Sequence, residues 1–257
     1  KFRPRHTSLL SVGALRALGR FLLGVWRRGR WPSQTRHVLL ALIPKSDGGL
    51  RPVALFVWVY RLFQRYTRYI VRRWFASLNV PWLAFGEGKA AEDAAFDVAV
   101  SAEAMTRASP SHSHPRWDAE GRGFPCTRAA NAVLEAREPA GVTVCPMGDL
   151  QKGFEKVRHS SLVADAARFG FPLDLLVLMV DMYRAPRRIA LNGVVSSPMV
   201  TGRSVAAGCP GAMFLLALRM LAAVGDFFTN SVPPSLAVFR VYVDDFMLLF
   251  RFRAGQG

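Results

Sequence analysis

Cysteine is scarce and scattered. Cys126, Cys145 and Cys209 are the only three in 257 residues. They are too far apart for a metal-ligand spacing or a disulfide framework, which fits a reducing, intracellular compartment. Acidic residues are almost missing from the first third. Residues 1–75 hold sixteen Lys and Arg against one acid, Asp47, whereas the remaining 182 residues hold 18 bases and 17 acids. Long apolar runs are also lacking. The longest, residues 205–218, contains Pro210 and runs into Arg219, so no membrane span is expected. No charged leader with a small-residue cleavage site opens the chain, and no internal repeat is visible.

What is present points to a chain that folds and has a polyanionic partner. A hydrophobic content of 51% with 20% charged residues is enough for a sizeable core. The formal charge of +16 is concentrated in the N-terminal third, and phosphate backbones are the commonest partner of such a region. The blander readings are solubility or an anionic membrane surface. The interleaving of arginines with aromatics on a helical pattern favours the nucleic acid.

Residues 8–26 carry helical periodicity, with Leu9, Leu10, Leu15, Leu18, Phe21, Leu22 and Trp26 sharing a broad apolar face before Pro32. Residues 37–44 and 50–55 read as two strands around the turn-forming Lys45-Ser-Asp-Gly-Gly49. Residues 58–77 read as a helix. Arg61, Arg65, Arg68 and Arg72 fall on one of its faces, and Leu62, Phe63, Tyr66, Tyr69 and Ile70 on the other. Residues 91–105 are helical again. Residues 109–124, rich in Ser, Pro, His and Gly, read as a disordered insertion, with His112 and His114 as loop residues rather than a metal site. Residues 142–147 form a strand that ends at Asp149. Helices follow over 155–169 and 173–184, then a hairpin around Asn192-Gly193 with a type I′ turn, then a helix over 210–227. Apolar strands over 236–243 and 246–250 meet at Asp244-Asp245. This order predicts an α+β plan, an antiparallel sheet with helices packed on one face.

Two adjacent aspartates at the tip of a core hairpin are unusual. Asp serves turns by local hydrogen bonding, yet here Tyr242-Val-Asp-Asp245 is embedded in strands apolar enough for a core. Two charges at a core edge are costly without a compensating cation or partner. Asp149 ends another apolar strand. If the two strands are neighbours, three carboxylates converge, a hard-oxygen set suited to Mg²⁺ and to two-ion phosphoryl transfer.

Taken with their neighbours, these residues resemble the reverse transcriptase family along nearly the whole chain. Ile43-Pro-Lys-Ser-Asp-Gly-Gly-Leu-Arg-Pro52 resembles the family's fingers hairpin, and Phe85-Gly-Glu-Gly-Lys89 with Glu92-Asp-Ala94 resembles the next fingers segment. Asp149-Leu-Gln-Lys-Gly-Phe-Glu155, continuing to His159-Ser-Ser-Leu162, resembles motif A. Asn192-Gly193 followed by Gly208-Cys-Pro210 resembles the approach to motif B and motif B itself. Tyr242-Val-Asp-Asp245 resembles motif C. The pattern looks closest to the branch of non-LTR retrotransposons and group II introns.

The resemblance implies a right-hand polymerase. Residues 1–140 would be fingers and 141–257 palm, an antiparallel sheet with helices on one face, truncated before the thumb. Lys1 and Gly257 read as the ends of a fragment. It implies template-directed addition of deoxynucleotides to a DNA primer on an RNA template. Asp149, Asp244 and Asp245, with the Leu150 carbonyl, would hold two Mg²⁺ ions, Mn²⁺ being a substitute. Lys45 and Arg51 would neutralise the triphosphate, Phe154 would exclude the ribose 2′-hydroxyl, and Gly208, Tyr242 and Val243 would line the nucleotide. Arg61, Arg65, Arg68 and Arg72 would follow template phosphates. The chain departs from the family at Ala207, where a Gln is usual, at Gly211, Ala212 and Met213, where small polar residues are usual, and at Glu155, where a second Asp is usual. Three alternatives stay open: a degenerate relic that only binds nucleic acid, an RNA-dependent RNA polymerase, against which Phe154 argues, and a basic RNA-binding module without an active site.

Overall fold

The computed structural model describes residues 4–46, 48–78, 80, 82–85, 91–107, 142–230 and 236–252. The expected insertion at 109–124, with His112 and His114, lies outside them. The chain forms two compact units. One comprises Lys1–Asn79 and Gln151–Asp226, the other Val80–Leu150 and Phe227–Gly257.

In the first unit a short 3-10 turn (Pro4–Leu9) precedes helix α1 (Val12–Arg28). The Ser11 hydroxyl accepts from the Ala14 N–H at 3.2 Å and starts α1, and Gly29, at φ 62°, closes it. The apolar face expected along this helix is mostly not covered. Only Val25 is buried, while Leu15, Phe21 and Leu23 are exposed. Packing is confined to the C-terminal end. Trp26 meets Phe63, and Trp31 sits edge-on to Tyr60 and Phe63 while its indole N–H donates to the Leu178 carbonyl.

Strands β1 (Val38–Pro44) and β2 (Leu50–Phe56) form the expected hairpin. Helix α2 (Trp58–Ser77) follows with the expected limits. Helices α3 (Ala91–Arg107), α4 (His159–Phe169), α5 (Leu173–Tyr183) and α6 (Ala212–Asn230) are the other long helices described. Strand β5 (Arg187–Leu191) returns to β6 (Val194–Val195) through Asn192 and Gly193, both at positive φ as a type I′ turn requires. The first sheet has the order β2-β1-β5-β6, and β1 runs parallel to β5 with Val38 opposite Arg187. Leu162, Leu175, Leu178, Met179, Met182, Leu215 and Leu218 are fully enclosed. At about 1.5–3 kcal/mol per enclosed side chain, these helices dominate the stability of the unit. α2 joins them through one face, and its Trp74 caps the group with a 2.9 Å bond to the Phe169 carbonyl.

The second unit is built on a sheet in which β8 (Asp245–Phe252) is central. Strands β3 (Val142–Val144) and β4 (Met147–Asp149) pair with one edge of β8, and β7 (Leu236–Tyr242) with the other. The single strand expected over 142–147 is interrupted at Cys145-Pro146, where Pro146 has no N–H to give the ladder. Its carbonyl still accepts from the Leu248 N–H. Residues 82–84 flank β7: the Val241 N–H donates to the Trp82 carbonyl and the Ala84 N–H to the Val241 carbonyl, both at 2.8 Å. α3 lies against this sheet, with Asp97 3.6 Å from Arg240. Helices with sheets that are antiparallel except at β1–β5 make an α+β fold.

Candidate active site

The carboxylates are delivered by strand register. β4 and β8 are antiparallel neighbours, with Asp149 directly opposite Asp245. The Leu150 N–H donates to the Asp244 carbonyl at 2.8 Å, and the Leu248 N–H to Pro146. Those bonds fall at alternate pairs of the ladder, so the Asp149–Asp245 pair is a non-hydrogen-bonded one, in which side chains stand closest. Both residues are exposed, and Asp244 is half-buried in the turn beside them. Like charges set directly opposite destabilise a sheet, so this arrangement is not one that folding alone favours.

The expectation that three carboxylates converge is met only at the level of the backbone. Among the described residues no three His, Cys, Asp or Glu side chains stand close enough together to hold an ion. The donor chemistry nevertheless fits Mg²⁺, which takes one or two carboxylates and fills its other positions with water and substrate phosphate. A cavity of about 380 Å³ lies here, lined by Asp149 and Asp245 with Tyr242, Gly148, Phe246 and Ala91 among others. Tyr242 is held edge-on against the buried Phe85.

The turn joining β7 to β8 is Val243-Asp244, and Val243 sits at φ 59°. A β-branched side chain at positive φ is strained by roughly 1–3 kcal/mol. Gly148 was not singled out from sequence. It lies opposite Phe246, and a Cβ at this position would run into the Phe246 ring. A glycine inside a strand pattern, one residue before the aspartate, was the available signal.

The remaining site residues expected from sequence lie in the first unit. Lys45 and Arg51 are both exposed at the end of the β1–β2 hairpin. The Lys45 N–H donates to the Gly49 carbonyl at 2.8 Å, and Arg51 is paired with Ile43. Phe154 is half-buried on a single helical turn, Gly153–Lys156, entered through Lys152 at φ 57°. Its carbonyl accepts from the Val205 N–H, and the Val157 carbonyl from the Ser204 N–H, so residues 154–157 are laced to residues 204–205. Gly208, at φ 96°, lies where a Cβ would come within 2.7 Å of the Ala54 carbonyl. Neighbouring Ala207 accepts the Ala54 N–H at 2.7 Å. At Gly211 the space a Cβ would take is filled by the ends of the Met179 and Gln64 side chains, which can yield where the Ala54 backbone cannot. On α2, Arg61, Arg65 and Arg68 are exposed and Arg72 half-buried. Tyr66 and Tyr69 do not share the apolar face: they are exposed among the arginines.

A buried polar group converges on the Ser204 carbonyl. Arg187 donates to the carbonyls of Tyr183 and Ser204, and the His159 ring lies 3.1 Å from that same Ser204 carbonyl. Burial pushes the His159 pKa down from its ordinary value and that of Arg187 down as well. Burial likewise raises Tyr60, Tyr183 and Cys209, which keeps all three protonated.

Residues 43–254 match the model of the family described as reverse transcriptase (RNA-dependent DNA polymerase). Among solved structures, the chain is similar to an apo telomerase from Candida tropicalis truncated from its C-terminal domain. The identity is 11% and the TM-score 0.54, covering 84% of this chain and 44% of that one. It is also similar to the telomerase of Candida tropicalis in complex with the TWJ fragment of telomeric RNA (11% identity, TM-score 0.55, 86% and 37% coverage). A third is the corresponding Candida albicans complex (12%, 0.51, 86% and 39%). At this identity the likeness is one of fold, and the chain spans less than half the length of these structures. No curated protein matches it.

Proposed function

The chain belongs to the reverse transcriptase (RNA-dependent DNA polymerase) family, and from that premise we propose that it carries the nucleotidyl-transfer centre of an RNA-directed DNA polymerase. The observation that carries the reading is the register of Asp149 against Asp245, with Asp244 in the adjoining turn. Asp149, Asp244 and the Leu150 carbonyl would hold Mg²⁺, with Asp245 in support. Bound there, the ions supply Lewis acidity toward the primer 3′-hydroxyl and the leaving pyrophosphate.

The chain's own groups do the rest. Lys45 and Arg51, exposed on one hairpin, neutralise the triphosphate and orient it. Phe154 presents a ring where a ribose 2′-hydroxyl would have to fit, so deoxynucleotides are selected. Gly208 gives the nucleotide close access to backbone. Tyr242 and Val243 line the nucleotide, Val243 next to the primer end. Arg61, Arg65, Arg68 and Arg72 follow the phosphates of the template. We further assign the parent protein to a retroelement of the non-LTR retrotransposon and group II intron branch, on the run Asp149-Leu-Gln-Lys-Gly-Phe154 and the fingers hairpin.

The test is Mg²⁺-dependent extension of a DNA primer on an RNA template, with deoxynucleotides beside ribonucleotides and Asp244→Asn as control. Incorporation of deoxynucleotides that vanishes in the control supports the reading. The chain is tested extended through its native downstream sequence so that a thumb is present, and a folded, thumb-complete protein that binds RNA yet incorporates nothing supports the second reading, a relic that only binds nucleic acid, which Ala207 favours. Incorporation of ribonucleotides would make the chain an RNA polymerase and remove Phe154 as the sugar gate.

A further inference from the structure

The outer face of α2 contains more than arginine. Its twenty residues include five arginines and no acid. Arg61, Arg65, Tyr69 and Arg73 recur at intervals of four and are all exposed, which makes one ridge about 18 Å long at 1.5 Å per residue. Tyr66 stands one turn from Tyr69 on the neighbouring ridge. The two rings are 62% and 69% exposed, although the same helix buries eight other side chains, Tyr60 among them. Neither hydroxyl makes a hydrogen bond among the described residues, and Arg61, Arg65, Arg68 and Arg73 make no ion pair there. A tyrosine that serves packing buries its ring, as Tyr60 does. Scattered exposed aromatics are ordinary, but two rings one turn apart inside an arginine field form a composite surface.

We propose that this face of α2 is a binding platform for single-stranded nucleic acid. The arginines take the phosphates, and Tyr69 and Tyr66 stack on unpaired bases. The chemistry selects the single strand. A duplex satisfies the arginines equally well but keeps its bases stacked on one another, so the rings gain nothing from it. An acidic protein segment would also answer the charge, but it gives the paired rings no planar partner. The inference rests on the reading of the α2 arginines as a nucleic-acid surface and adds the strandedness of the ligand and the means of holding it.

The experiment measures binding of the full chain to an unstructured single-stranded RNA and to a duplex of equal length across a salt series. EDTA is present and nucleotides are absent, so polymerase chemistry plays no part. Removing both rings (Tyr66→Ala with Tyr69→Ala) is expected to weaken the single strand about 10- to 100-fold. Duplex affinity and the salt slope should stay unchanged. Tyr69→Phe keeps the affinity, since it keeps the ring. Arg65→Gln lowers the salt slope by about 0.7, one phosphate contact on a single strand. All these side chains are exposed, and circular dichroism verifies that the variants fold. Single-strand affinity that survives loss of both rings overturns the platform, and so does an equal loss for duplex and single strand. Primer extension with Asp244→Asn reports separately on the polymerase reading, so either can fail alone.

Discussion

Two hairpins of this chain turn in two residues with opposite chemistry. Asn192-Gly193 joins β5 to β6 with both residues at positive φ, which is what a type I′ turn asks and what Asn and Gly tolerate. Val243-Asp244 joins β7 to β8 with a β-branched residue at φ 59° and an acid beside it. The first turn is a connector, and its local preference agrees with its geometry. The second delivers Asp244 and Asp245 to the strand that carries Asp149, and its local preference is overruled by the sheet. Strain and like charge are found at the same place.

The largest test of that contrast is Asp149→Asn. Primer extension is expected to fall at least about a thousandfold, the loss of several kcal/mol of transition-state charge stabilisation. The melting temperature in EDTA should rise, because the charge facing Asp245 is gone. A fall in both would make Asp149 a structural residue. Next is Gly148→Val, which drives the Phe246 ring from its seat. Overpacking of this kind lowers stability by about 1–3 kcal/mol, read as a shifted denaturant midpoint.

The two turns should then respond with opposite sign. Gly193→Val is expected to cost about 1–2 kcal/mol, since it creates the strain that Val243 already carries. Val243→Gly should stabilise the protein by a net ~1 kcal/mol, part of the relief being lost to the freedom of glycine when unfolded. Equal signs would dissolve the comparison.

The smallest effect is a pH dependence confined to the unit that holds the Asn-Gly turn. His159 is buried there with its folded pKa below the unfolded value of about 6.5. Its contribution is complete above that value and is lost as pH falls toward the folded pKa, where the unfolded chain takes up the proton first. Protection of α4 amides against hydrogen exchange, corrected for the intrinsic rate, should therefore fall below about pH 6.5, and His159→Gln should flatten the response.

Local structure was largely legible. The limits of α2, the β1–β2 hairpin and the type I′ turn follow from periodicity and turn chemistry, and each was placed by residues within a few positions of the element. What escaped depends on contacts distant in sequence. Parallel pairing of β1 with β5 joins segments nearly 150 residues apart, which no local pattern encodes. The exposure of Tyr66 and Tyr69 is a matter of angular position on α2: both stand on the side that carries the arginines, where a hydrophobicity scale puts them inside and geometry puts them out. On α1 the pattern was apolar but only its last turns have neighbours to meet. At the candidate site the aspartates were legible as residues, and so was their adjacency. Register made the opposition of Asp149 and Asp245 specific, and the seat that Gly148 gives Phe246 is visible only once that register is known.

The bond from Ala54 to Ala207 runs from main chain to main chain, and such a bond is indifferent to which amino acid bears it. The bond itself therefore does not depend on the side chain at position 207, and an alanine there leaves the seating of its neighbour intact. Position 208 has no such latitude, because the carbonyl of Ala54 occupies the volume any side chain would claim. Two consecutive residues on one loop are thus held by different means, one through its backbone alone and the other through the absence of a side chain.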